Sequence, residues 1–201
     1  MPTIDTLPPE APDSLIAIEQ ADLAVAEKAA EIRENPVVKA LGTASEMADQ
    51  PPLIALSAAT IIAGLVLRRP AVAVAGVRMI SAHFLATAIK TRVKRSVDRT
   101  RPYVLAEERK YVIEQGGSHD PRLNSFPSGH TAGAVAVAEA VARTFPRAAW
   151  PARAWAVAIA AIQIPRCAHY PSDIAAGAAI GLAGDRLVRL AESVIRRVLT
   201  R

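Results

Sequence analysis

A chain of 201 residues that is 51% apolar and only 4% aromatic has the length of one domain and the composition of a helical protein. Its net charge of +5 is uneven, because six basic residues crowd between Lys90 and Arg101. No aromatic residue is interleaved with them, so base stacking has no support and we expect no nucleic-acid partner. The single cysteine, Cys167, excludes an internal disulfide framework and gives no metal-ligand cluster.

The N-terminal region divides into two parts. Residues 1–13 contain four prolines and few large apolar residues, so we expect disorder there, and the segment lacks the features of a signal peptide. Ser14 is a candidate N-cap for a helix that runs to about Asn35, where Pro36 stops it. This helix is amphipathic and too charged to span a bilayer. We therefore predict an interfacial or bundle-packed helical region over residues 14–50.

Five apolar segments follow within a predicted domain over residues 51–201, at about 52–68, 71–91, 131–146, 150–165 and 172–190. A spanning helix needs about 20 residues, so several of them are short. Arg78 and Glu139 fall inside the second and third segments, and we expect them to pair. The pattern favours an all-α, membrane-embedded bundle of about five spanning helices. A soluble bundle with an alanine-rich core is the alternative.

Three polar stretches lie where these segments end or begin, and an alternating path through the bundle places them on one face. The first runs from Lys94 to Arg101-Pro102, and its two cations suit phosphate oxygens. They would share a helix face if the helix continued that far. A membrane-flanking basic cluster explains this stretch equally well. The loop over residues 103–126 lies on the same face and is a candidate lid.

The second and third stretches supply backbone donors, two histidines and a carboxylate. Ser128, Gly129 and His130 stand directly before an apolar helix, whose free N–H groups bind anions, and His130 is placed to act as a general acid. His169 and Asp173 are four residues apart, so the carboxylate can orient the imidazole as a nucleophile. Ordinary helix capping is the alternative for both stretches.

The order KxxxxxxRP, PSGH, HxxxD resembles the type 2 phosphatidic acid phosphatase (PAP2) superfamily over roughly residues 50–190. This resemblance implies metal-free phosphate ester hydrolysis without a cofactor. By the same resemblance, phosphate is bound by Lys94, Arg101, Ser128 and Gly129. His169, oriented by Asp173, would attack phosphorus to form a phosphohistidine, while His130 protonates the leaving group.

One position departs from the family pattern. The third motif usually begins with an arginine six residues before the nucleophilic histidine, and Gln163 stands there in this chain. Arg166 is the nearest cation. Because Gln163, Arg166 and His169 are spaced by three, we expect them near one helix face, with Arg166 replacing the missing arginine as a phosphate-binding residue.

The resemblance implies an integral-membrane lipid phosphatase acting on a lipid phosphate monoester or a polyprenyl diphosphate. The alternatives are a lipid phosphotransferase and a non-catalytic protein that binds lipid headgroups. The habit of the family places such an enzyme in the bacterial inner membrane, as a multi-pass protein with its site on the extracytoplasmic face. The basic residues fix neither this orientation nor an oligomeric state.

Overall fold

The structure, a computed structural model, describes residues 13–200. In chain order the elements are α1 (Asp13–Ile32), α2 (Pro36–Ser45), α3 (Gln50–Val66), α4 (Pro70–Lys94), β1 (Val97–Arg99), α5 (Pro102–Glu108), β2 (Ile113–Gln115), α6 (Gly129–Thr144), α7 (Ala149–Ile162) and α8 (Pro171–Leu199). Short 3₁₀ helices cover Glu46–Ala48, Pro121–Leu123 and Pro146–Ala148. The predicted helical class is confirmed, with one antiparallel two-stranded ribbon in the described part.

Proline sets the start of many of these helices, since its fixed φ suits the first helical turn and its missing N–H costs nothing there. Pro36 begins α2, and the Asn35 side chain accepts a hydrogen bond from the backbone N–H of Val37 at 2.8 Å. Pro70, Pro102 and Pro171 begin α4, α5 and α8 in the same way. Helix α1 ends at Ile32, before Pro36. Pro36 itself begins a second helix, α2, which the sequence pattern did not predict.

Helix α6 lies at the centre of the bundle and contacts α4, α7 and α8. Its buried residues are small, among them Ala134, Ala136 and Ala140, so neighbouring helices approach closely. One such approach is at Gly181 of α8, where a β-carbon would lie 2.6 Å from the carbonyl oxygen of Ala132. The alanine-rich composition is thus what brings the ends of α4, α6 and α8 together.

The predicted pairing of Arg78 with Glu139 is wrong. The Nε atom of Arg78 lies 2.8 Å from the carboxylate of Glu192 on α8, and Glu139 pairs with Arg153 of α7 at 2.7 Å. The reason is that α4 packs against α8 as well as α6, while the opposite side of α6 faces α7. Charges inside the apolar segments find partners, as expected, but on other helices.

Other boundaries also differ from expectation. The predicted loop over residues 103–126 contains α5, β2 and a 3₁₀ helix, and β2 pairs with β1 in the register Val97↔Gln115 and Arg99↔Ile113. The expectation of disorder over residues 1–13 lies, apart from Asp13, outside the described residues. Helix α3 begins at Gln50, and the division of the chain into residues 14–50 and 51–201 stays a prediction.

Length and composition allow one described helix, Pro70–Lys94, to cross a membrane. The run Pro36–Ala48 and helix Gln50–Val66, which are bent by 54° relative to each other, pass the same test as a single broken span. Helices α3, α6 and α7 have 17, 16 and 14 residues, fewer than the roughly 20 that a straight span needs. The bundle of about five spanning helices stays a prediction.

Candidate phosphate site at one end of the bundle

The first two cations converge on one carbonyl oxygen. Lys94, the last residue of α4, donates from Nζ to the carbonyl oxygen of Asn124 at 2.6 Å, and Arg101 donates to the same oxygen at 3.4 Å. Strand β1 separates the two residues, so they do not share a helix face, and the sequence-based reason for their proximity is wrong. The β1–β2 ribbon instead returns Arg101 to the end of α4.

Ser128 is the N-cap of α6 and is completely buried. Its side-chain oxygen accepts hydrogen bonds from the backbone N–H and the hydroxyl of Thr131, and its own N–H donates to the carbonyl oxygen of Asp173 at 3.0 Å. Capping and a place in the site therefore coexist. Gly129 follows as the first helical residue, with free N–H groups at a positive helix end.

Lys90 is a further cation of this site that sequence reasoning did not assign. A β-carbon on Gly129 would lie 3.4 Å from Cδ and 3.7 Å from Nζ of Lys90, so the lysine side chain lies against the helix start. Lys90 is one helical turn before Lys94 on α4, a spacing that places both on one face. That spacing was the available signal, obscured by the other basic residues of the run.

His169 lies in the turn before α8, not on the helix, and is 3% exposed. Its Nδ1 atom faces the carboxylate of Asp173 at 3.7 Å, which is longer than a hydrogen bond. Burial lowers the pKa of His169 to about 4; Asp173 opposes this shift, and Arg101 and Lys94 add to it. The imidazole is therefore neutral at pH 7, next to the two cations.

The Asp173 carboxylate is completely buried and held on both oxygens. Its Oδ2 atom accepts hydrogen bonds from the Ser125 hydroxyl at 2.6 Å and the Tyr170 backbone N–H at 2.9 Å, and its Oδ1 atom accepts from Arg99 at 2.7 Å. Asp173 is also the third residue of α8 and bonds the N-cap backbone. Here too a capping function and a position beside His169 belong to the same residue.

The third motif is rearranged around Gln163. Helix α7 ends at Ile162 and a series of turns follows. The expectation that Gln163, Arg166 and His169 share a helix face is therefore wrong. The Gln163 side chain is buried, and its amide nitrogen donates to the carbonyl oxygen of Ile159 at 2.9 Å and to Ser45 at 3.3 Å. That nitrogen is engaged inside the protein.

Arg166 is anchored by the segment before α3. Its guanidinium donates to the carbonyl oxygen of Gly42 at 3.1 Å and to Ser45 at 2.8 Å, and lies 2.6 Å from the carboxylate of Glu46. The other oxygen of Glu46 lies 3.3 Å from Nε2 of His130. Glu46 thus links Arg166, the candidate replacement arginine, to His130, the candidate general acid. Local sequence patterns do not predict this contact between distant segments.

Direct contacts link the three motif stretches: Lys94 and Arg101 both bond the carbonyl oxygen of Asn124, and the Ser128 N–H bonds that of Asp173. Burial lowers the pKa of the Arg101 guanidinium; Tyr103, Asp173 and Glu46 raise it, and Arg166 lowers it. The residues involved come from the β1–α5 junction, α8, the Glu46–Ala48 helix and the turn after α7. The sequence-predicted stretches therefore meet at one end of the bundle.

Together these features describe a helical bundle with a cluster of cationic side chains near a buried, neutral histidine at one end. The model of the PAP2 superfamily matches residues 71–194, and the chain belongs to this family. The match begins after α3, so α1, α2 and Glu46 lie outside it.

Two solved structures share the fold. A transmembrane PAP2-type phosphatidylglycerolphosphate phosphatase from Bacillus subtilis is 20% identical, with a TM-score of 0.63, over 89% of this chain and 88% of its own. LpxE from Aquifex aeolicus is also 20% identical, with a TM-score of 0.61, over 83% of this chain and 93% of its own. No curated protein matches the sequence. The bundle, including much of the region before residue 71, is therefore a known PAP2 architecture.

Proposed function

We propose that this protein is a membrane lipid phosphatase that hydrolyses a lipid phosphate monoester or a polyprenyl diphosphate through a phosphohistidine on His169. The observation that carries the proposal is a buried, neutral imidazole that faces the Asp173 carboxylate at 3.7 Å and lies close enough to Arg101 and Lys94 for their charges to lower its pKa. A neutral imidazole has a free electron pair for attack, and the cations offset the charge of a phosphate that would otherwise repel a nucleophile.

Substrate phosphate would be held by Lys94, Arg101 and the start of α6 at Ser128 and Gly129. Lysine supplies a point charge, arginine supplies a planar pair of donors, and the helix end supplies backbone N–H groups. Lys90 adds a third positive charge along the same wall. Arg166 shares its charge with Glu46, so its contribution to phosphate binding depends on how that carboxylate responds to the substrate.

In the first step a nitrogen of His169 forms a bond to phosphorus, and the bond from phosphorus to the lipid oxygen breaks. The leaving oxygen takes a proton from the protonated form of His130, which stands at the first turn of α6 with its Nε2 atom 3.3 Å from the Glu46 carboxylate. In the second step water attacks the phosphohistidine and gives its proton back to His130. Inorganic phosphate leaves and His169 is restored, so every atom and proton is balanced without a metal or a cofactor.

A bilayer location is supported by the outer surface of the bundle. Large apolar side chains are exposed on several helices, for example Leu65 on α3, Phe84 on α4, Val157 on α7 and Leu190 on α8. Such a surface is unusual for a soluble monomer and suits contact with lipid chains. One of the two related structures is a transmembrane phosphatidylglycerolphosphate phosphatase, which supports a lipid substrate.

The proposal is tested by phosphate release from detergent-purified protein, with EDTA present, across lipid monophosphates and prenyl diphosphates. We expect release that tolerates EDTA and disappears in His169→Ala, while His119→Ala, at an exposed histidine, keeps wild-type activity. The preferred lipid would identify the substrate class. If neither the wild type nor His169→Ala releases phosphate from any lipid, the proposal is overturned in favour of headgroup binding without turnover. Transfer of phosphate to a lipid acceptor would instead identify a phosphotransferase.

A further inference from the structure

Helix α1 buries two carboxylates, Glu19 and Asp22, and the more deeply buried of them, Asp22, lies at the site end of the bundle. Asp22 is 2% exposed, whereas Glu27 and Glu31 of the same helix face solvent. A buried carboxylate costs several kcal/mol unless it is paired and hydrogen-bonded. The partners of Asp22 therefore indicate why the helix carries it there.

Those partners belong to the candidate site. Arg99 donates from one nitrogen to Asp22 at 2.7 Å and from the other to Asp173 at 2.7 Å. The backbone N–H of Ser172, beside Asp173, also donates to Asp22 at 3.1 Å. The Arg99 guanidinium stacks on the Tyr170 ring, 4.1 Å from its centroid, and is almost completely buried. Arg99 is thus a rigid bridge between two carboxylates.

The charges of this bridge leave one negative charge in excess, because two carboxylates share one guanidinium. Burial lowers the pKa of Arg99, but Asp173, Tyr111 and Asp22 together outweigh it, so the guanidinium stays charged. If Arg99 faced Asp173 alone, it would neutralise that carboxylate. Asp22 balances Arg99 and leaves the negative charge of Asp173 to act on His169.

The negative charge of Asp173 would stabilise His169 during its attack on phosphorus. When the imidazole nitrogen bonds to phosphorus, positive charge develops on the His169 ring, and Asp173 is its neighbouring carboxylate. We propose that Asp22, acting through Arg99, is a positioning residue that keeps the negative charge of Asp173 available to His169. The inference rests on the proposed phosphohistidine chemistry, and it makes the N-terminal helix, which precedes the family-matched residues, a part of the catalytic unit.

The kinetic test first removes the negative charge of Asp22 and then also removes the positive charge of Arg99. Asp22→Asn keeps the shape of the side chain and should lower kcat about ten-fold or more, with KM within about two-fold, since Lys94 and Arg101 are untouched. Asp22→Asn/Arg99→Gln removes both opposite charges and should recover much of kcat. Glu27→Gln, on the exposed side of α1, is the matched control and should behave as wild type.

A second readout is independent of lipid turnover. Vanadate adopts the five-coordinate geometry of phosphoryl transfer and can bond to an attacking imidazole, whereas inorganic phosphate only occupies the anion site. We expect Asp22→Asn to weaken vanadate binding about ten-fold and leave phosphate binding unchanged. This comparison stands even if no lipid in the panel is hydrolysed, so failure of the proposed function and failure of this inference are distinguishable.

Two outcomes would overturn the inference. One is Asp22→Asn matching Glu27→Gln in both kcat and vanadate affinity; the other is a double variant no better than Asp22→Asn, which would indicate a purely structural salt bridge. If Asp22→Asn does not fold, the double variant carries the test alone. A kcat within about three-fold of wild type would support the inference, and a loss as large as that of His169→Ala would refute it.

Discussion

His169 is buried and lies close enough to Arg101 and Lys94 for their charges to act on it. Burial and these charges lower its pKa, to about 4, and the negative charge of Asp173 only partly opposes them. The neutral imidazole is what a nucleophile requires. The same feature makes the stability of the folded chain depend on pH in a definite direction.

The ordinary pKa of histidine, 6.5, applies to the unfolded chain, while the folded value is about 4. Between these values the unfolded state binds the proton and the folded state does not, so stability falls as the pH is lowered from 7 to 5. His169 alone should account for about 2 kcal/mol of this fall. Thermal unfolding at both pH values should show a smaller fall in His169→Gln, and an unchanged pH dependence in this variant would contradict the pKa assignment.

A substitution of Arg166 tests whether this residue replaces the family arginine, whose position Gln163 occupies. Because Arg166 bonds Gly42, Ser45 and Glu46, its removal frees the Glu46 carboxylate beside His130. We expect Arg166→Ala to lower kcat/KM for phosphate release about ten-fold or more. Arg153→Ala, which removes an exposed ion pair with Glu139 at the other side of the bundle, is the control. Intact activity in Arg166→Ala would refute the replacement of the family arginine.

At the scale of elements, the site depends on how closely α8 approaches α4 and α6. Gly177 faces Ser128 and Thr131, Gly181 faces Ala132 and Val135, and Gly184 faces Ala82 and Ala86. These glycines permit backbone contact between helices that carry different parts of the site. A side chain at Gly177 would separate Asp173 from the start of α6, and one at Gly184 would push α8 away from α4.

Gly181→Val should therefore destabilise the protein by roughly 1–3 kcal/mol, because its branched side chain meets the Ala132 carbonyl and Val135. Its matched control is Ala179→Val, two residues earlier and exposed on the same helix. Thermal unfolding in detergent separates the two effects. If both variants unfold at the wild-type temperature, close packing of α8 on α6 is not what holds the site together.

The five helices α3, α4, α6, α7 and α8 were predictable because apolar runs are local features, whereas α2 and α5 were not predicted. The three motif stretches were predictable for the same reason, since each occupies a few adjacent residues. The places of Arg99, Asp22 and Glu46 in the site were not predictable, because they depend on contacts with residues far along the chain. The pairing of Arg78 was missed for a related reason, since hydropathy does not tell which helices are neighbours.

At the scale of the whole molecule, the two ends of the bundle hold different charge clusters. At the end away from the site, Arg78 and Arg143 pair with Glu192, and Arg143 also pairs with Asp185. Opposite charges are matched there and tie α4, α6 and α8 together. The site end holds Lys90, Lys94 and Arg101 close together, which is the asymmetry that an anionic substrate requires.

The central claim is that His169 becomes phosphorylated. The most direct measurement is to mix the purified protein with a lipid phosphate carrying labelled phosphorus, quench in alkali within the first turnover, and map the labelled peptide. We predict a label that survives alkali, is lost in acid, and lies on the peptide containing His169. It should be absent from His169→Ala and present in His119→Ala. Label on another residue, or phosphate release from His169→Ala at the wild-type rate, would contradict the account.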